Sequence, residues 1–136
     1  MLYSKNIIET FSRYITDDTS AFNWLIENNL KELVMLKAAI YGDGKSFQWL
    51  VDNKKMVVVA FVRAVRDDKS AFKWLMENKH IVWAATANAI NSDKGADTML
   101  RNNKLEHYAE LAEKIKQKFN EEEGGDLDFI IKGPYA

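Results

Sequence analysis

Residues Ala39–Ser46 read AIYGDGKS and satisfy the relaxed phosphate-binding pattern, a Gly or Ala, four residues, then Gly-Lys-Ser. In a true phosphate loop, glycine amides curl around the phosphates, the lysine reaches them and the serine hydroxyl holds magnesium. That chemistry needs a buried strand before the loop. Here the preceding segment LKELVMLKAAIY is helical in pattern, and Ala39 falls inside it. No hydrophobic strand ending in Asp follows to hold the metal. The motif is expected to be turn chemistry between helices.

Other residue types capable of chemistry fare no better. There is no cysteine, which excludes thiolate metal sites, disulfides and thiol catalysis. The two histidines are His80 and His107; His107 lies next to Glu106 and one turn from Glu110. A helical zinc site wants two histidines four apart with a glutamate between, and this chain has no such pair. The aspartates Asp18, Asp43, Asp68 and Asp93 are single residues, whereas a calcium loop gathers about five or more oxygens. They are expected to cap helices. No catalytic, cofactor-binding or metal-ligating residue is expected, and no cofactor.

The spacing of those aspartates exposes the organisation. DTSAFNWLIEN (Asp18–Asn28), DGKSFQWLVDN (Asp43–Asn53) and DKSAFKWLMEN (Asp68–Asn78) align without a gap, and DKGADTMLRNN (Asp93–Asn103) is a weaker fourth copy. The period is 25 residues, with Trp24, Trp49 and Trp74 in one column and Leu25, Leu50, Leu75 and Leu100 in the next. Each unit divides into a short helix A, starting after the Asp, and a helix B. Helix A runs to the recurrent Asn, which is expected to take the left-handed conformation past the helix end. A strand reading of MVVVAFV fails, because the same columns hold LVMLKAA and VWAATAN.

Running the register backwards makes Lys5–Ile15 a lone B helix, with Ile8, Phe11 and Ile15 in the columns of Leu33, Leu36 and Ile40. The fourth unit turns polar: Asp97 replaces the recurrent Phe, Arg101 replaces Ile26, and Lys114 stands in the column of Ala39, Ala64 and Ala89. The expected fold is all-α: a right-handed αα-solenoid of about four 25-residue repeats with an N-terminal half-repeat helix. A compact helical bundle is the second choice. The unit resembles helical solenoids in general, although named repeats run longer, about 33–34 residues for ankyrin and tetratricopeptide and about 40 or more for HEAT. The repeat domain is expected over residues 1–123. Residues 124–136, ending DLDFIIKGPYA, are expected to be an extended or flexible tail, with Leu127, Phe129 and Ile131 alternating with Asp128 and Ile130.

Nineteen basic against twenty acidic residues leave a net charge of −1, which disfavours a general nucleic-acid binder. The N-terminus meets Lys5, Asn6 and Glu9 before any apolar run, and the longest wholly apolar run, Met56–Val62, is seven residues. A bilayer span needs about 20. A soluble, cytoplasmic protein with no membrane partner is expected.

What remains is surface. Trp24, Trp49 and Trp74 each fall at the edge of the apolar arc of helix A, beside polar residues that include Gln48 and Lys73. They suit either inter-helix packing or a row of partner anchors. Arg63 and Arg66, with Asn88 and Asn91 one period later, offer donors for a carboxylate or phosphate; the plainer expectation pairs Arg66 with Asp67 or Asp68. The expected function is a non-catalytic protein–protein interaction module, with partner-binding residues Trp24, Trp49, Trp74, Gln48, Lys73, Arg63, Arg66, Phe129 and Ile131. The alternative is a small-ligand or nucleic-acid-binding solenoid using the Arg63/Arg66/Asn88/Asn91 face. The tail offers a route to self-association.

Overall fold

The computed structural model describes residues 2–123. The expected tail and its Phe129 and Ile131 lie outside the described residues. Among these residues there are nine α-helices and no strand. The B helices are α1 (Lys5–Ile15), α3 (Lys31–Ile40), α5 (Met56–Val65), α7 (Ile81–Ile90) and α9 (Glu106–Glu123). The A helices are α2 (Thr19–Glu27), α4 (Gly44–Asp52), α6 (Lys69–Glu77) and α8 (Lys94–Asn102).

Local chemistry sets each boundary. Asp18, Asp43, Asp68 and Asp93 are the N-caps of the four A helices, each accepting a hydrogen bond from the free N–H groups of the first turn. Seryl hydroxyls reinforce three of them, and these bonds hold the Asp18, Asp43 and Asp68 carboxyls below their usual range. All eight interhelix turns share one pattern: the first and second residues after the C-cap close back on the helix, as in Asn29 N to Ile26 O and Leu30 N to Leu25 O. This Schellman closure needs one residue of positive φ per turn. The recurrent Asn does not supply it. Asn28, Asn53, Asn78 and Asn103 have negative φ, and the left-handed residue is the next one, Asn29, Lys54, Lys79 or Lys104. The Asn recurs for a different reason: its side-chain amide donates to the carbonyl four residues back, that of Trp24, Trp49, Trp74 or Met99.

Consecutive helices pack in pairs, and the B helices supply most of the core. Helices α5 and α7 bury seven and six of their ten residues. Ile8, Phe11 and Ile15 are inaccessible, as are Leu33 and Leu36. Trp83 is fully buried at the centre, with Phe61 and Tyr108 edge-on to it at 4.9 and 5.6 Å and Tyr3 at 6.0 Å.

The two ends of the row also meet. Helix α1 packs against α9 as extensively as α3 does against α4. Tyr3 N donates to Tyr108 Oη at 3.0 Å, and Tyr3 Oη donates to Glu32 Oε2 at 2.7 Å. Burial and the Glu32 carboxylate push the Tyr3 phenol well above its ordinary pKa. At the other end of the B helices, the longer α9 runs on past α1 and α3. Tyr41 Oη donates to Ile115 O at 2.9 Å, Tyr41 lies 4.8 Å from the Phe119 ring, and Lys118 reaches Asp17 at 3.1 Å.

Candidate functional site

The phosphate-loop pattern resolves into a helix end, a turn and a helix start. Ala39 is buried in α3, and Gly44, Lys45 and Ser46 open α4. The Asp43 carboxylate occupies the helix N-terminus where a phosphate would sit, accepting from Lys45 N at 3.1 Å and Ser46 Oγ at 2.8 Å.

The four donors grouped as one face are divided by the fold. Arg66 is buried, 9% exposed, and its Nη2 donates to Ala39 O and Ile40 O at 3.2 and 3.0 Å. Asn91 repeats the contact one period on, its Nδ2 donating to Ala64 O at 3.5 Å and Val65 O at 3.3 Å. Both satisfy carbonyls at the end of the preceding B helix. Arg63, not Arg66, takes the aspartate: its guanidinium is 3.9 Å from Asp68, mirrored by Arg13 and Asp18 at 3.7 Å, and lies 5.3 Å over the Phe47 ring. Lys116, in the column of Arg66 and Asn91, donates to the Ser92 hydroxyl. A serine beside an amine can suggest a nucleophile and base. Here the positive φ of Ser92 is shared by Asp17, Gly42 and Asp67 at the equivalent turns, so the contact belongs to the series that ties each B helix to its predecessor.

His80 stacks on Trp74 at 5.8 Å, and burial lowers its pKa. His107 lies against the Tyr108 ring at 5.0 Å. Among the described residues, no group of three or more His, Asp or Glu is placed to hold a metal ion.

The tryptophans are graded rather than alike. Trp24 and Trp49 are half-buried, with Lys31 Nζ 5.1 Å over the Trp49 ring, while Trp74 is 37% exposed. Gln48 is exposed and donates to Asp52 at 2.8 Å; Lys73 is exposed. Trp74 borders a feature with no counterpart in the sequence reading. An open groove of about 440 Å³ runs between α5 and α6, lined by Met56, Ala60, Arg63, Ala71 and Trp74. The residues 25 positions later, Ile81, Ala85, Asn88, Ala96 and Met99, line a second groove of about 260 Å³ between α7 and α8, with Met76 on its other wall. Met56, Ile81 and Met76 are 49%, 46% and 42% exposed. The signal was present in sequence as the B-helix columns 56 and 81, apolar at a position where the equivalent residues are Asn6 and Lys31.

No family model, curated protein or solved structure matches this chain. Among the described residues, no helix is long and apolar enough to cross a membrane.

Proposed function

We propose that this protein is a non-catalytic, cytoplasmic protein–protein interaction module, its repeat domain a short right-handed αα-solenoid whose ends touch. The observation that carries the reading is the pair of grooves repeating at 25 residues, each with large apolar side chains left in solvent at its mouth. Exposed apolar side chains clustered beside polar ones mark interaction surfaces, and Trp and Met are enriched at the centres of such surfaces. In this reading Trp74 is the principal anchor of the tryptophan column, with Arg63 in the groove wall and Lys73 beside it on α6. Trp24, Trp49 and Gln48 contribute less, and self-association through Phe129 and Ile131 is a further route to assembly. The ligand or nucleic-acid reading has less support, since Arg66 and Asn91 are engaged with internal carbonyls.

The test is affinity capture from native lysate with wild type and a Met56→Asp/Ile81→Asp variant whose fold is verified by circular dichroism. Both side chains are about half exposed, so the variant should fold. A protein retained by wild type and lost by the folded variant, then reconstituted as a purified pair, is the expected result. If the folded variant retains everything that wild type retains, the grooves are not the binding surface and the reading fails.

A further inference from the structure

The two grooves share an apolar frame but not a charge. The stretch from Lys54 to His80, which carries α5 and α6, holds seven of the chain's nineteen Lys and Arg and three of its twenty Asp and Glu, a net of +4. The rest of the chain holds twelve basic against seventeen acidic residues, a net of −5. Of the seven basic residues, Arg66 is buried, which leaves the exposed part of the stretch at a net of +3, and the charged residues lining the α5–α6 groove within it are Arg63 and Asp68. Inside that groove stands Arg63, its side chain 47% exposed. A guanidinium carries five N–H donors, and the pair with Asp68 at 3.9 Å is long. Asp68 itself is held by the backbone N–H groups of Ser70 and Ala71 as the cap of α6. The second groove has Asn88 where the first has Arg63.

We infer that the α5–α6 groove receives an acidic peptide segment of another protein, which inserts an apolar side chain between Met56 and Trp74 and sets a carboxylate on Arg63. This rests on the interaction-module reading and names the partner's chemistry. Apolar contact supplies burial, the guanidinium offers bidentate geometry to a carboxylate, and the net positive charge of the stretch that carries the groove favours an anionic partner during encounter. Met56 and Arg63 are seven residues apart on α5, about 10 Å along the helix. The anchor and the carboxylate of the partner are thus two helical turns apart, or three residues apart if the segment is extended. The α7–α8 groove has Asn88 in place of the guanidinium and the Asp93 carboxylate in its lining, so it offers an anion no cationic partner.

The experiment pans a random-peptide library against wild type and against Met56→Asp, then measures the affinity of each recovered peptide for wild type, Met56→Asp and Arg63→Glu. Both positions are exposed, and thermal melts establish that each variant is folded. Peptides lost with Met56→Asp should be rich in Asp and Glu and should lose about tenfold or more in affinity with Arg63→Glu. Groove-dependent peptides that are neutral or basic, or indifferent to Arg63→Glu, overturn the acidic partner while leaving the interaction module standing. Recovery of no groove-dependent peptide overturns both. A labelled single-stranded oligothymidylate that binds the groove more tightly than every recovered peptide also overturns the inference, in favour of a nucleic acid.

Discussion

The guanidinium of Arg66 reaches across one whole repeat to close the end of the preceding B helix, donating to the carbonyls of Ala39 and Ile40. A helix end leaves carbonyls without intrahelical partners, and a buried one needs them supplied. Asn91 does the same for Val65. The residue type changes, but the task at that column does not. Replacing Arg66 with Met keeps the aliphatic packing and takes the guanidinium donor from Ile40 O, while Ala39 O keeps the Gly42 N–H. We expect a loss of about 2–3 kcal/mol, read as a lower guanidinium chloride midpoint with an unchanged slope.

Three of the four A-to-B turns place a lysine in the left-handed region, Lys54, Lys79 and Lys104 at φ 59°, 66° and 62°. A side chain there crowds its own carbonyl at roughly 1 kcal/mol, which glycine avoids. Lys54→Gly and Lys79→Gly are therefore expected to stabilise the protein, each by about 0.5–1 kcal/mol after the entropy of the unfolded glycine is counted. The converse change, Gly42→Ala at φ 101°, should destabilise it. Thermal melts of the single variants check both signs.

Contact between the ends makes α9 a shared element. Phe119 is inaccessible because Tyr41 of α3 covers it. Phe119→Ala should cost about 3–5 kcal/mol, the range for a large buried aromatic. At the free end of an open row the same change would cost little, so urea unfolding of this one variant measures the closure.

The Asp17, Asp18, Asp43 and Asp68 carboxyls all lie below the usual carboxylate range. Hydrogen bonds from Lys37 and Lys118 lower Asp17, and those from Ser20, Ser46 and Ser70 lower the other three. A folded-state pKa below the unfolded value of about 3.9 favours folding wherever the carboxylate is ionised. That contribution is complete above the unfolded pKa and is lost as pH falls through the depressed folded values. The melting temperature should decline slightly below about pH 6.5, where the lowered His80 pKa favours the unfolded state, and drop steeply below about pH 4. Asp17→Asn and Asp43→Asn should each shallow the acid limb.

Much of this molecule was legible one column at a time. The aspartate column marks the A-helix starts at 19, 44, 69 and 94, and the columns of Ile8, Leu33 and Leu36 mark core. The role of the recurrent Asn was not legible. Asn is common both as a left-handed residue and as a side-chain cap, and only the backbone angles separate the two. Arg66 looked like a surface donor because charged residues are seldom buried, and its acceptors lie 26 and 27 residues away in sequence.

By itself the sequence determined the 25-residue period, the starts of the A helices, their aspartate caps and the inward columns. These depend on interactions within a turn or two of chain, which residue type and spacing encode directly. Tertiary structure alone decided that α1 meets α9, that Tyr41 covers Phe119, and that Met56 and Trp74 border an open groove. The end contacts join residues far apart in the chain, Tyr3 with Tyr108, Tyr41 with Ile115 and Asp17 with Lys118, and no local spacing encodes such pairings, so they appear only when the whole chain is folded.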